Sequence, residues 1–223
     1  MKPYWVSADG RHKLFHAESK RFLTQYGWLE ADALVSDPPY GIGYEASRYT
    51  AKNTNETFSG GIQGDSEEFD PYYLCGFGKP TLLWGGNNFA HRLPPGGWLC
   101  WDKRLTEAAD KMYGSPFEMA WCSLRDKFKM MRCLHGGVVN ADGHGIKRVH
   151  PTQKPIRVME WCLNDVLRLK ADSLVLDPYC GSGTTGVACI RTGHRFIGIE
   201  IEEKYCDVAA KRLENELAQL RLF

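Results

Sequence analysis

The sequence predicts an α/β domain built on a largely parallel sheet with helices on both faces, and three observations carry that prediction. Short apolar runs such as Ala33-Leu34-Val35, Thr81-Leu82-Leu83-Trp84 and Leu174-Val175-Leu176 read as strands buried on both sides. Segments of helical period alternate with such runs. Two of the runs end in turn-forming motifs, Asp37-Pro38-Pro39-Tyr40 and Asp177-Pro178-Tyr179-Cys180-Gly181-Ser182-Gly183-Thr184-Thr185, which puts chemically able residues at strand ends. A chain of 223 residues holds one such domain, with room for an insertion.

Along the chain, residues 12–18 read as a short strand ending in polar groups, and residues 19–30 as a helix. Val35 ends a buried strand, and the Pro38-Pro39 pair forbids a helix directly after it. From Gly43 to Asp65 the chain is rich in Gly, Asn, Thr and Ser and has no apolar period, which marks a functional lid or a surface loop. Thr81–Trp84, Trp98–Trp101 and residues 117–123 are further strands. Pro155 opens a helix with Ile156, Met159, Leu163, Val166 and Leu167 on one face. After the glycine-rich loop a helix begins near Thr184, a strand covers Arg195–Glu200, and a last helix carries Tyr205, Val208, Ala209, Leu213, Leu217 and Leu220.

Composition narrows the function. Apolar residues make up 43% and charged residues 25%, an ordinary globular balance. No apolar run is long enough to span a membrane, and Met1-Lys2-Pro3-Tyr4-Trp5 lacks a signal-peptide core. The eight cysteines form no C-x-x-C pair, which argues against a zinc site or a disulfide framework and for the cytoplasm. A net charge of +1 conceals a basic stretch from Arg125 to Lys154, where Arg125, Lys127, Lys129, Arg132, Lys147, Arg148 and Lys154 face only Asp126 and Asp142. Such a stretch suits a polyanion bound on one face, or is simply a solvated surface.

The two motifs carry the chemistry. Gly181-Ser182-Gly183-Thr184-Thr185-Gly186 follows a strand and opens a helix, and Glu200 ends the next strand. That unit cradles a nucleotide-like cofactor, the acid accepting ribose hydroxyls, without distinguishing a dinucleotide from another adenosine ligand. It is no P-loop, since no Lys follows the glycines. In Asp37-Pro38-Pro39-Tyr40, the Asp37 carboxylate and the Pro38 carbonyl can both accept from an exocyclic NH2, and Tyr40 offers a face for a base. Accepting both amine protons aims the nitrogen lone pair at an electrophile. The competing reading is a proline turn with Tyr40 packed in the core.

On these residues the chain resembles the amino-group DNA methyltransferases of the permuted β class, in which the catalytic half precedes the half binding S-adenosylmethionine (AdoMet). Trp84-Gly85-Gly86-Asn87, Trp101-Asp102-Lys103 and His150-Pro151-Thr152-Gln153-Lys154-Pro155 extend the match between the two motifs. The resemblance implies a Rossmann-like AdoMet-dependent methyltransferase fold, with a mostly parallel seven-stranded sheet in circularly permuted motif order. It divides the chain into a catalytic half (1–103), a short basic recognition insertion (104–150) and a cofactor half (151–223). It implies catalysis by Asp37, Pro38, Pro39 and Tyr40. It implies AdoMet binding by Asp177, Pro178, Tyr179, Gly181, Ser182, Gly183, Thr184 and Thr185, with Glu200 on the ribose. Thr152 and Lys154 would lie beside the cofactor carboxylate, and Glu18 stands where Asp is usual, near the adenine.

The implied reaction moves a methyl group to the N6 of an adenine flipped out of double-stranded DNA, without a metal. Arg48 and Lys52 in the 43–65 loop, with Lys127, Lys129, Arg132, Lys147 and Arg148, would meet phosphates. Cytosine N4 is the near alternative, since Asp at the first motif position is more usual in adenine enzymes and Ser in cytosine ones. Cytosine C5 methylation is set aside because no Pro-Cys nucleophile occurs. A nicotinamide oxidoreductase leaves the D-P-P-Y and H-P-T-Q-K-P motifs unexplained, and a silent DNA-binding protein needs neither Asp37 nor Tyr40. RNA and protein glutamine are further substrate alternatives. The short form is similar to phage or prophage enzymes, is compatible with a homodimer, and leaves little length for a recognition domain.

Overall fold

The computed structural model describes residues 1–28, 30–43, 63–104, 115–136, 139–140 and 153–220. Its first half contains β1 (Trp5–Val6), β2 (His12–His16), α1 (Ser19–Tyr26), β3 (Ala33–Ser36), the short α2 (Tyr72–Cys75), β4 (Thr81–Trp84), a 3-10 turn (Gly86–Arg92) and β5 (Gly97–Asp102). Then follow β6 (Phe117–Cys122), β7 (Phe128–Arg132), a small hairpin of β8 (His135–Gly136) and β9 (Val139–Asn140), and α3 (Ile156–Trp161). The chain ends with β10 (Leu174–Asp177), α4 (Thr184–Arg191), β11 (Arg195–Glu200) and α5 (Glu203–Leu220).

Among the described residues, nine strands form one mixed sheet in the order β1-β2-β11-β10-β3-β4-β6-β5-β7. The five from β2 to β4 run parallel, with the apolar runs of β3, β4 and β10 at their buried centre, and β6 lies antiparallel to both β4 and β5. The expected count of seven is therefore too low. The two outermost strands, β1 and β7, account for the difference. β1 is two residues long, and β7 alternates exposed and half-buried positions within a basic run that reads as a charged surface. Of the described part of residues 104–150, β6 and β7 belong to this sheet.

Alternation along the strands separates two apolar layers. Leu14, Val35, Leu82, Trp84, Leu99, Trp101, Val175 and Phe196 pack with α3, α4 and α5. Phe15, Leu34, Leu83, Leu176, Ile197 and Ile199 pack with Phe22 and Leu23 of α1, Leu74 of α2 and Phe89. A one-residue slip in any of these strands would exchange the layers, so the register is strongly specified. Helix α1 stops at Tyr26, short of the expected residue 30, because Gly27 takes a left-handed φ of 67°. The helix opened by Pro155 is α only to Trp161 and continues as a π turn from Cys162 to Val166.

Strand β10 connects through α4 to β11 on one side, while its other neighbour β3 leads to β4 on the opposite side. The sheet thus has a topological switch point between β10 and β3, where a crevice opens at the strands' carboxyl ends. Asp37 and Asp177 follow or end these two strands. That adjacency makes one site of motifs far apart in sequence.

His12, in β2, is 3% exposed and its Nδ1 meets no hydrogen-bonding partner. Burial pushes its imidazole down from 6.5 to about 4. The unfolded chain binds this proton more readily than the folded one, so stability is lost as pH falls through that window, by on the order of 3 kcal/mol. His12→Gln is expected to flatten that loss. Urea-unfolding free energies at about pH 7 and about pH 4.5 check it, and equal losses in variant and wild type would contradict it.

Candidate active site

At the end of β3, the Asp37 carboxylate is held from two sides. Its Oδ1 accepts the Tyr40 hydroxyl at 2.6 Å, and its Oδ2 lies 2.6 Å from the Lys154 ammonium. The prolines between Asp37 and Tyr40 stiffen the turn, and Asp65 clamps it from outside. One Asp65 oxygen accepts the backbone N–H groups of Tyr40 and Gly41, each at 2.8 Å. Gly85, at the end of β4, has a φ of 69°, and a Cβ there would fall 2.0 Å from the Tyr40 ring. The first glycine of Trp84-Gly85-Gly86-Asn87 thus seats the Tyr40 ring.

Lys154, only 4% exposed at its side chain, uses its three N–H donors on Asp37, on the Tyr40 hydroxyl at 3.1 Å and on Glu118 at 3.1 Å. It also sits 5.3 Å from the Trp84 ring centre. Lys103 pairs with the other Glu118 oxygen at 2.5 Å. The result is a row of alternating charge: Asp37, Lys154, Glu118, Lys103. Burial pushes the Asp37 carboxyl above the ordinary range, opposed by the Lys154 charge. Burial acts the same way on Glu118, but the ammoniums of Lys154 and Lys103 outweigh it and hold Glu118 at about 2. Lys154 loses by burial and gains more from its two carboxylates, which keep it charged.

Asp177, 2% exposed, ends β10. It accepts the Ser36 hydroxyl from β3 and the Thr185 hydroxyl from α4, both at 2.6 Å, and the Tyr179 N–H at 3.1 Å. Burial nonetheless pushes its carboxyl up to about 6. The loop that follows turns through Gly181 (φ 50°) and Gly183 (φ 80°). At Gly183 a Cβ would sit 3.0 Å from the Ala209 methyl, so α5 presses directly on the loop. Glu200, 9% exposed, accepts the Gly181 N–H at 2.9 Å and the Glu202 N–H at 2.8 Å. Arg212 of α5 donates to the Ser182 carbonyl, the Ser182 hydroxyl and the Thr184 hydroxyl at 2.6, 2.9 and 3.2 Å. Helix α4 has no side-chain cap at its N-terminus.

These elements enclose a cleft at the carboxyl ends of β3 and β10. Asp37, Gln153, Lys154, Met159, Asp177 and Tyr179 line it, with Cys180, Gly181, Ser182, Thr184 and Thr185 of the loop. The structure therefore brings Asp37, Lys154, Asp177, Tyr179, Gly181, Ser182, Thr184 and Thr185 together. Glu200 reaches the cleft through Gly181. Glu18 caps α1 by accepting the Lys20 and Arg21 N–H groups.

Among the described residues, the two basic side chains of β7 do not share one face. Strand alternation puts Arg132 on the side opposite Lys129. Arg132 bonds Asp102 at 3.1 Å, Lys129 donates to the Asp165 carbonyl at 2.6 Å, and Lys127 pairs with Asp126 at 3.0 Å. Arg48, Lys52, Lys147, Arg148, Thr152 and the His150-Pro151 pair lie outside the described residues. Asp65, Glu118 and Arg212 are site residues that the motifs do not reveal. The one sequence signal for Glu118 is an acid within the apolar run of β6.

A family described as DNA methylase, of the N6/N4 type, matches residues 98–211. The chain is 49% identical to the type II methyltransferase M2.DpnII of Streptococcus pneumoniae, over 96% of this chain and 93% of that protein. It belongs to the N6/N4 DNA methylase family. The alignment with M2.DpnII runs over 257 positions, more than this chain's 223, so the relative carries segments that this methylase lacks. A shorter match, 45% identical over 31% of this chain and 19% of the relative, is to the type II methyltransferase M.HinfI of Haemophilus influenzae. Among solved structures, the cytosine-N4-specific PvuII DNA methyltransferase superposes with a TM-score of 0.62 at 11% identity, over 96% of this chain and 93% of that one. The M1.HpyAVI–SAM complex superposes with a TM-score of 0.55 at 19% identity, over 91% and 98%. These likenesses establish the methyltransferase fold. Among the described residues no helix is long and apolar enough to cross a membrane, and no cluster of His, Cys, Asp and Glu could hold a metal.

Proposed function

We propose that this methylase transfers a methyl group from AdoMet to the N6 amino group of an adenine flipped out of duplex DNA. The observation that carries the reading is the meeting of Asp37 with the Asp177–Thr185 loop in one cleft. The residues fit AdoMet. The uncapped N-terminus of α4 favours a carboxylate, the positive-φ glycines let a ligand approach backbone, and Glu200 stands one hydrogen bond behind Gly181 for the ribose. Pro178, Tyr179, Ser182, Gly183, Thr184 and Thr185 shape the methionine end, with Thr152 beside it. When bound, AdoMet supplies a methyl group on a sulfonium whose bonding electrons return to sulfur as the group leaves.

The protein's part is orientation. Asp37 and the Pro38 carbonyl accept the two amine protons, Pro39 fixes the turn, and Tyr40 stacks the base. The amine displaces one of the present Asp37 partners, and Lys154 keeps Glu118 when that happens. As the new N–C bond forms, the nitrogen loses one proton through Asp37 to solvent. Adenine is favoured over cytosine by the Asp at the first position of the motif.

In this reading Glu18 borders the adenine of AdoMet, and Arg48, Lys52, Lys127, Lys129, Arg132, Lys147 and Arg148 meet DNA phosphates. Residues 1–103 form the catalytic half and 151–223 the cofactor half, with 104–150 supplying both sheet strands and the DNA contacts. A homodimer is also part of it, supported by Phe128 and Met130, 68% and 64% exposed on the edge strand β7. Incubation with methyl-tritiated AdoMet and duplex DNA tests the core of the proposal. Label retained on the DNA supports it, and unlabelled DNA overturns it.

A further inference from the structure

We propose that Glu118 is a positioning residue for the catalytic carboxylate, acting through Lys154, with Lys103 as its counterweight. The proposal rests on the methyl-transfer reading above. Glu118 is not itself one of the residues lining the cleft, yet it holds one of the three donors of a lysine that is almost wholly buried. Three further observations give that contact a purpose beyond packing. The Lys154 ammonium is shared between two carboxylates, at 2.6 Å from Asp37 and 3.1 Å from Glu118. The second Glu118 oxygen is taken by Lys103, whose ammonium lies 5.1 Å from the Trp101 ring centre. The four charges alternate and sum to zero, so each pair is tuned by the next.

A lysine paired with Asp37 alone would largely neutralise it. Amine attack builds positive charge on nitrogen, and Asp37 stabilises that charge only to the extent that its own is available. Glu118 takes a share of the Lys154 charge and so leaves Asp37 more anionic toward the substrate. Lys103 takes a share of Glu118 in turn and limits this effect. The other titratable groups facing the cluster are the Tyr40 hydroxyl, Asp65 behind the turn, Asp177 at the end of β10 and the Cys162 thiol from the π turn. None of these groups is itself altered by a substitution at Glu118 or Lys103.

The two ends of the row are expected to shift the reaction in opposite directions. In Glu118→Gln the full Lys154 charge falls on Asp37, so the acid limb of the kcat profile moves to lower pH by about one unit. Its plateau falls by about 10- to 100-fold, with the AdoMet KM changed less than about twofold. In Lys103→Met, Glu118 draws harder on Lys154, and the acid limb moves to higher pH. Glu118→Asp returns the limb toward the wild-type position. Methyl-transfer rates on duplex DNA between about pH 5 and about pH 9 read all three variants. Opposite shifts support the assignment. Unmoved limbs, or limbs moved the same way by both variants, overturn it. Should Glu118→Gln fail to fold, Lys103→Met decides, since that lysine lies at the outer end, and an unshifted limb there overturns the assignment. Wild-type protein that transfers no methyl group overturns the functional reading first and this assignment with it.

Discussion

Asp37→Ala is expected to lower the rate of methyl transfer by roughly 10³-fold while leaving AdoMet affinity within a fewfold. The substitution removes the side-chain acceptor for the target amine. The fold should tolerate it, because Lys154 keeps Glu118 as a partner and the turn keeps its clamp on Asp65. Asp37→Asn makes the point sharper. It preserves shape and one acceptor, but places a neutral amide against the buried ammonium and loses the charge. Single-turnover rates with tritiated AdoMet, beside equilibrium binding of the cofactor, separate the two effects. Transfer within tenfold of wild type in Asp37→Ala would remove Asp37 from the mechanism.

Asp177→Ala is expected to do a different kind of damage. Three donors converge on that carboxylate: the Ser36 hydroxyl, the Thr185 hydroxyl and the Tyr179 N–H. They belong to β3, to α4 and to the loop between β10 and α4, so the carboxylate ties the catalytic strand to the cofactor loop. Leaving buried donors without an acceptor costs about 1–3 kcal/mol each, and partial reorganisation brings the expected loss to about 3–5 kcal/mol. Urea unfolding measures it, and AdoMet affinity should fall together with stability. A variant as stable as wild type, with unchanged cofactor affinity, would contradict this role.

The sequence legibly marks the parts of the fold in which one local rule decides. The apolar runs at β3, β4, β10 and β11 are too short and too unbroken for anything but buried strands, and their ends fall within a residue or so of expectation. Gly183 and Pro155 mark the starts of α4 and α3 for reasons of backbone geometry alone. Edge strands are harder to read. The pattern of β7, Phe128-Lys129-Met130-Met131-Arg132, mixes charge and apolar bulk because one side meets solvent, and in one dimension it reads as a basic surface.

The site divides in the same way. Asp37, Tyr40 and the glycine loop are legible because each must sit on a special turn, and the turn leaves a motif. Asp65, Glu118 and Arg212 are not, since each acts from a distant segment on a backbone or charge that the motif already supplies. Glu118 sits in an otherwise apolar run, and nothing in that run says which lysine it meets. Glu18 adds a local role that its position before a helix makes legible: both its oxygens cap the first turn of α1.

The most direct test of the account is the chemical identity of the modified base. The protein is incubated with methyl-tritiated AdoMet and duplex DNA of mixed sequence, the DNA is digested to nucleosides, and the label is located by chromatography against standards. The account predicts label in N6-methyldeoxyadenosine, lost in Asp37→Ala. Label in N4-methyldeoxycytidine would contradict the adenine assignment, and nucleosides without label would contradict the enzyme.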